Sequence, residues 1–589
     1  MDTSESYTDV LIIGAGLVSL IAALWMAKCG INARIIEKRD SSPRLGGADG
    51  LNPRSMEILD SFGLADDIKR LWEPTIDWCL WFRRADGNLQ RRDRVAYESI
   101  HRTSYRFGFG LLGQGMIENI VIRKIEQDSA IRVEYEKKPV SIVLDHDKEH
   151  KTDTYPCLVR ISCADGEKPE YHDEFVRAKY VIGADGARSW TRKQLGIGLQ
   201  GTRTGDIWGV MDVIVVSDFP DIRASASVHS GAEGGFSFIR RERNLTRFYV
   251  QLIRGSNNNT RKQQTYDNIV EKLKRLIRPY TIQIVSCEWW STYIIAQHLS
   301  EEMSRNDRVF LVGDAVHSHS PKIGLGMNVS MQDAYNLGWK IAGIINNQLD
   351  TGLLATYEQE RRPVSEELLA TDKFFLKLFD THEDDQAAWM LQKEVQLIPF
   401  VMGFATQYRR SQLTSLNDQQ RRLDSNIADA VTIGKRLPDF VVSNHATARI
   451  YPIRTLLRSY GNFHILVFAG DISNQEELAN VNSLGHSLRK MNYVSSAASS
   501  PARLNTMLIH SSPRTSIELA ALDGAFYPSH ELLGKDINRV CCDICPTFAD
   551  LGVHHNCNIL IVRPDQYVGW CGGYSDVDGL GGYLGSIFA

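Results

Sequence analysis

Three stretches of this chain combine small residues with acids in a spacing suited to holding a dinucleotide. The first is Gly14-Ala15-Gly16-Leu17-Val18-Ser19. Gly14 and Gly16 allow a tight turn and close backbone approach to a pyrophosphate, and the helix that follows aims its N-terminus at negative charge. Ser19 stands where a GxGxxG fingerprint has its third glycine, a departure expected to loosen helix–strand packing slightly. Glu37 ends the next strand, where a carboxylate can accept hydrogen bonds from an adenosine ribose. The glycine turn alone would suit any α/β protein; the strand–helix–strand context and the acidic strand end favour nucleotide binding. The second stretch runs from Asp185 to Arg192 (DGARSWTR). Its small residues let Asp185 and Gly186 approach a phosphate or a flavin, although Asp-Gly after a strand is most often only a turn. The third runs from Gly313 to Pro321 and on through Gly324, Gly326, Met327 and Asn328. Asp314 can bind ribityl hydroxyls, and the helix opening at Gly324 to Asn328 presents amides to a ring carrying negative charge. His317 and His319 have no third ligand at suitable spacing, so no metal is expected there.

These residues need elements to position them. Residues 8–13 read as a buried parallel strand, Leu20 to Cys29 as a helix ended by Gly30, and Ala33 to Glu37 as the next strand. Val10 to Ala27 is apolar and long enough for a membrane span. Gly14 and Gly16 interrupt it, which favours strand, turn and helix, so no membrane is expected. Asp145 to Asp173 is rich in charge and reads as an exposed hairpin or loop excursion. Residues 178–183 and 308–313 read as buried strands, and alternating segments between about 205 and 295 as an antiparallel sheet. A long helix is expected from Val329 and further helices over 365–430. A break near Thr432 to Pro438 opens a separate C-terminal domain, with buried strands in FHILVFAGD and NILIVRPD and a Ser-rich loop at 494–500. There is no internal repeat. The balance of 43% hydrophobic and 23% charged residues in 589 is that of a globular chain, and a net charge of -4 gives no support for nucleic-acid binding. Ten scattered cysteines and the lack of a basic-then-apolar N-terminal run lead us to expect no secretory signal and a cytoplasmic protein.

In this order the three segments resemble the flavoprotein monooxygenases of the para-hydroxybenzoate hydroxylase type. The most specific stretch is GDAVHSHSPKIGLGMNVSMQDAYNLGWKIA, followed by YEQERRP from Tyr357 to Pro363. GGADGLNPRSMEIL, from Gly46 to Leu59, is similar to the ADGL-x-x-R-x-x-E pattern of the phenol hydroxylase branch. LLGQGMIENIV places Gln114 where the family has a flavin-contacting glutamine. GKRLPDF, LVFAGD and VRPDQYVGW match that branch's C-terminal extension.

The resemblance implies an α/β chain with a Rossmann-like FAD-binding domain, an antiparallel-sheet substrate domain and a C-terminal thioredoxin-like domain. The expected boundaries are 1–200 for the first part of the FAD domain, with an inserted substrate-domain segment near 72–110, then 201–300 for the substrate sheet. Residues 301–430 would complete the FAD domain with a helical region, and 433–589 would form the thioredoxin-like domain. It further implies that Asp49 lies near the substrate hydroxyl, that Tyr249 and Arg241 are active-site residues and that Arg54 contacts FAD, while Arg44 could be a surface charge. FAD would be held without a covalent link. NADPH would reduce it, O2 would form a flavin 4a-hydroperoxide, and a phenol would be hydroxylated ortho to its hydroxyl. A single GxGxxG unit agrees with transient nicotinamide binding. Alternatives with the same oxygen chemistry are dearomatising hydroxylation and Baeyer–Villiger insertion on a polyketide-derived phenol. A halogenase would need a Trp-x-Trp-x-Ile-Pro segment, which is absent, and a non-catalytic partner-binding protein would show decayed flavin motifs, whereas only Ser19 departs. In the C-terminal domain, Cys542-Asp543-Ile544-Cys545 comes too late to be a thioredoxin redox pair. Neither disulfide chemistry at this cysteine pair nor a metal site formed by it with His554, His555 and Cys557 is expected. The domain is expected to be structural, at a homodimer interface.

Overall fold

The apolar run that begins at Val10 divides at its glycines. It gives β1 (Glu5–Ile13) and α1 (Leu17–Lys28), and β2 (Ala33–Ile36) returns parallel to β1 with Ile13 opposite Ile36. Gly30, at φ +70°, lets the chain turn out of α1. All of Leu17 to Met26 except Val18 is buried, the pattern of a helix covered on every side. Among the described residues no helix is long and apolar enough to cross a membrane. The computed structural model describes residues 5–42, 45–75, 77–84, 86–96, 107–145, 154–165, 168–230, 233–253, 264–321, 324–378, 396–415, 431–491, 504–530, 534–544, 551–553 and 558–589. Arg44, the Ser-rich 494–500 loop, Cys545, His554, His555, Cys557 and parts of the helical 365–430 region lie outside them.

After β2, α2 (Pro53–Ser61) starts with Pro53 at its first position and Asn52 as a cap that accepts from Ser55 N. Then come β3 (Asp77–Arg83), β4 (Leu89–Ala96) and α3 (Gln114–Asp128). β5 (Lys137–Leu144), β6 (Cys157–Asp165) and β7 (Lys168–Gly183) form an antiparallel ladder. The polar 145–173 stretch is therefore, where described, part of this ladder. β7 then continues inward as the parallel partner of β1, with Gly183 opposite Ile13.

A second sheet follows from β8 (Leu199–Ser217), β9 (Ser225–His229), β10 (Gly235–Arg240) and β11 (Thr246–Ile253). α4 (Tyr266–Leu276) and β12 (Ile282–Ser300) complete this stretch. β13 (Val309–Leu311) rejoins the first sheet beside β7, and β14 (His317–Ser318) closes the second beside β12. The second sheet runs β14-β12-β8-β11-β10-β9-β3-β4, so two strands from before residue 100 extend it. α5 (Gly326–Ile345) packs on α1, and α6 (Thr356–Leu378) follows.

A third sheet holds β15 (Val441–Asn444), β16 (Ile450–Pro452), β17 (Phe463–Ala469), β18 (Leu504–His510), β19 (Val540–Asp543), β20 (Ile559–Val562) and β21 (Val568–Gly572). Its order is β16-β15-β19-β18-β17-β20-β21. β17 and β18 are parallel and joined through α7 (Gln475–Lys490), while β20 and β21 form an antiparallel hairpin before α8 (Val577–Ile587). One continuous apolar core runs from α1 and α5 into this region, with Trp339 edge-on to Phe463 at 5.5 Å.

Candidate active site

The glycine loop is shaped by the sheet below it. Gly14, at φ +101°, donates to Ile36 O, and a Cβ there would meet Ala184 O at 2.6 Å. Only glycine satisfies both demands. Gly16 differs: it has ordinary backbone angles, and a Cβ there would meet nothing within 4 Å. The protein itself thus leaves a space in front of Gly16. The N-terminus of α1 behind it has no side-chain cap and no acid in its first turn, which suits an anionic pyrophosphate. Glu37, almost fully buried, accepts from Ala15 N at 2.9 Å and from Arg39 N and Nε at 3.0 Å. Burial pushes its carboxyl up, but these donors win and hold it below the ordinary value. Ser19 is fully buried, and its hydroxyl has no partner among the described residues.

The second and third motifs divide between turn and ligand roles. Asp185 accepts from Ser189 Oγ, Thr191 N and Thr191 Oγ1, so its carboxylate serves the turn that starts a short helix. Gly186 follows at φ +80° with open space around it. Asp314 is exposed, and its contact with Ser330 Oγ is long at 3.5 Å, so this acid is available to ribityl hydroxyls. α5 starts at Gly326 with no side-chain cap and no acid in its first turn. Pro321 precedes it, its carbonyl accepting from Gly324 N, and Met327 is buried in the first turn. His317 is part of the scaffold: its Nε2 lies 2.9 Å from Asp333 Oδ2, and Arg361 holds the other Asp333 oxygen at 2.7 Å. The open cradle at Gly16, the free carboxylate at Asp314 and two uncapped helix N-termini fit FAD.

Asn328 couples that cradle to a second group of residues. Its Nδ2 donates to Gly50 O and Gly324 O at 2.8 Å, and its Oδ1 accepts from Asn52 N. Gln114 grips the same segment from α3, its Oε1 accepting from Ala48 N and its own N–H donating to Ala48 O. Between these two clamps stands Asp49, 5% exposed. Arg247 Nη1 is 3.1 Å from Asp49 Oδ2 and Arg241 Nη1 is 3.7 Å away, yet this oxygen makes no hydrogen bond. The two arginines are taken elsewhere. Arg247 donates twice to Asp212, at 2.6 and 2.7 Å, and lies over the Trp289 ring. Arg241 donates twice to Glu242, at 2.6 and 3.1 Å, and once to Asp212. Three buried carboxylates therefore face two guanidiniums, and Asp49 is the one left incomplete. Burial raises its carboxyl above the ordinary value, against the pull of Arg247 and Arg241.

Tyr249 sits two residues beyond Arg247 on β11, on the same face. Burial and Asp49 push its hydroxyl up, against Arg247. It packs with Tyr293, Trp208 and Ile295, and the Tyr293 hydroxyl is buried with no partner among the described residues.

Arg241, which sequence alone would leave as a solvated hairpin residue, is 4% exposed. Arg54 requires a correction. It is fully buried, donates to Glu57, Gln566 and Asp565 O, and lies between the Tyr335 and Tyr567 rings. Its Nη1 and Nη2 are committed to Glu57 and to the C-terminal region, against the cofactor contact that the resemblance implies. Arg247, Asp212, Glu242 and Tyr293 were missed. The signal for Arg247 was its place two residues before Tyr249 on an alternating strand; Asp212, its direct partner across β8 and β11, has no local signal.

Residues 7–372 match the family model described as an FAD binding domain, and residues 406–589 match the phenol hydroxylase C-terminal dimerisation domain. The FAD-dependent monooxygenase ankC of Aspergillus thermomutatus is 49% identical over 591 residues, covering 100% of this chain and 99% of that protein. The phenol 2-monooxygenase fsqG of Aspergillus fumigatus is 32% identical, covering 96% of this chain and 94% of its own. Among solved structures, the flavin-dependent monooxygenase PieE in complex with FAD and substrate has a TM-score of 0.74 at 19% identity, covering 98% of each chain. That last likeness speaks to the fold.

Proposed function

Because the chain belongs to the FAD-dependent monooxygenases that join this FAD-binding domain to a phenol hydroxylase-type C-terminal domain, we propose that it uses NADPH and O2 to hydroxylate a phenolic substrate ortho to its hydroxyl. The observation that carries this reading is Asp49, a buried carboxylate with an unfilled oxygen in a cluster of three acids and two arginines. A phenol hydroxyl is a donor that such an oxygen lacks. Its proton moves to Asp49 Oδ2, and the charge left on the phenol oxygen faces Arg241 and Arg247. The ring carbon beside that oxygen then becomes electron-rich. FAD bound there and reduced would activate O2, which provides the oxygen atom transferred to that carbon. Tyr249 and the unpartnered Tyr293 hydroxyl orient the ring from the second sheet. Gly14, Gly16, Glu37, Asp314 and the first turn of α5 hold the cofactor, with Gln114 and Asn328 fixing the 46–52 segment between cofactor and substrate. The β17–α7–β18 and β20–β21–α8 order of the third sheet supports a thioredoxin-like reading of the C-terminal domain, and the family description supports a homodimer formed through it. Free cysteines throughout the described residues support a cytoplasmic setting.

The test is NADPH oxidation by FAD-loaded protein against simple and polyketide-like phenols, with product and H2O2 quantified together. A phenol that accelerates oxidation and yields an ortho-hydroxylated product in proportion supports the reading. Product bearing a lost aromatic ring or an inserted ring oxygen overturns the ortho-hydroxylation assignment, and acceleration by non-phenolic rings overturns the role of Asp49.

A further inference from the structure

The C-terminal sheet gathers three metal-ligating side chains far from the charge cluster in sequence. Cys542 lies on β19, between β15 and β18. Its register partner on β18 is His510, and its partner on β15 is Ser443. His445 follows Ser443 by two residues, which returns it to the same face, and its N–H donates to Val540 O. The three side chains therefore converge from adjacent strands at one end of the sheet. His445 Nδ1 is 2.9 Å from His510 Nε2, and Cys542 Sγ is 3.6 and 3.5 Å from these two nitrogens. All three residues are buried, at 5%, 0% and 6% exposure. The neighbouring Cys541 points to the other face and packs in the apolar core there, so the pair of cysteines is not a generic filling.

We propose that His445, His510 and Cys542 bind a zinc-class cation that ties β15, β18 and β19 together. Zinc takes imidazole nitrogen at about 2.0–2.1 Å and thiolate at about 2.3 Å in tetrahedral array, which sets two nitrogens about 3.3 Å apart and a nitrogen and the sulfur about 3.6 Å apart. The two nitrogen–sulfur distances already meet this, and the two nitrogens need to part by a few tenths of an ångström. His445 Nε2 lies 3.2 Å from Ile517 O. Donation there fixes the proton on the outer nitrogen and turns the Nδ1 lone pair toward the cluster, the usual support behind a metal-bound imidazole. Without a cation, His510 Nε2–H donates to His445 Nδ1 and the Cys542 thiol lies against the same two nitrogens, so three ligand-type groups share one buried hydrogen-bonded cluster. Binding moves the His510 proton from Nε2 to Nδ1, forms two nitrogen–zinc bonds and one sulfur–zinc bond, releases the Cys542 thiol proton to solvent, and leaves the fourth corner to water.

The full-length, FAD-loaded protein is treated with chelator, titrated with Zn2+ alone and dialysed, and zinc per chain is measured by mass spectrometry. A parallel sample takes Co2+, read as a difference spectrum. The expected result is one retained zinc per chain, a thiolate-to-cobalt charge-transfer band with tetrahedral ligand-field bands, and an upward shift of Tm. Cys542→Ser is expected to lose the charge-transfer band, and His510→Gln to lose retained zinc, both with unchanged FAD content. Wild-type protein that retains no zinc, or that binds Co2+ without the thiolate band, overturns the proposal and needs no variant to do so. A Cys542→Ser protein with the wild-type cobalt spectrum overturns it as well.

Discussion

Asp49 owes its place to backbone clamps rather than to its own side chain. Its carbonyl accepts from Leu112 N, while Ala48 before it and Gly50 after it are held by Gln114 and Asn328. The carboxylate can therefore stay unsatisfied without the segment moving away. Replacing Asp49 with Asn removes the base and keeps the shape, so kcat on phenols should fall by about 10²- to 10⁴-fold with FAD content unchanged. The folded carboxyl lies above its ordinary value near 3.8. Activity that needs it ionised should rise with pH through an acidic limb above that value, and this limb should vanish in Asp49→Asn. A group raised in the folded state contributes stability that is lost as pH rises through its folded pKa. Neutral Asn should accordingly leave Tm at neutral pH unchanged or higher, a result that separates lost chemistry from lost folding. A Tm drop with loss of FAD would sink this account of Asp49.

At the scale of elements, the first strand, turn and helix carry two glycines with different reasons for being glycine. Gly14 answers to the sheet: its φ is positive and its Cβ position is filled by Ala184 O. Gly16 answers to nothing in the protein. Gly14→Ala should destabilise the fold by more than about 1 kcal/mol and lower FAD content together. Gly16→Ala should leave apoprotein stability within about 0.5 kcal/mol and still reduce flavin occupancy, measured by the ratio of flavin to protein absorbance. Equal FAD retention in Gly16→Ala and wild type would mean that the space in front of α1 is not the pyrophosphate site.

For the molecule as a whole, the question is what fastens the third sheet to the other two. Glu360 on α6 receives Arg563 at 2.6 and 2.9 Å and Lys340 of α5 at 2.9 Å, all fully buried. Glu57 is held similarly by Arg54, Arg436 and Arg454. Such pairs are costly to break singly, because the remaining charge is stranded. Arg563→Met should cost about 3–5 kcal/mol in chemical denaturation. Arg563 and Lys340 hold Glu360 at about 2 against an ordinary 4.5, although burial opposes them. Its contribution is therefore complete above about pH 4.5 and lost as pH falls toward 2. Denaturation midpoints between pH 5 and 3 should fall more steeply in wild type than in Glu360→Gln; parallel slopes would remove Glu360 from this role.

The dinucleotide loop was legible in the chain because its determinants are local. A strand, two glycines, an apolar helix and an acid at the next strand end lie within 37 residues, and local sterics decide them. The same holds for the helix start after Asp314 and for the strand of Arg247 and Tyr249. The charge cluster was legible only in part. Asp49, Arg241 and Tyr249 could be named from the resemblance, but not that Asp49 would be the unsatisfied member. That depends on Asp212 and Glu242, brought in by the pairing of β8 with β11 and by the turn after β10, and charge balance in a buried site is a property of all the groups present. Arg54 shows the converse. Its motif suggested the cofactor, and the packing of residues more than 500 positions later claimed its guanidinium. His445 and His510 are likewise silent in sequence, and Cys542 stands out only with Cys545; the three, 97 residues apart at the extremes, meet only because parallel and antiparallel register sets them side by side. Residue type and short-range spacing determined the glycine turn and the uncapped helix starts that a cofactor could use. Which charges are left over, and which side chains meet, was decided by tertiary structure, because desolvation and pairing act through space and not along the chain.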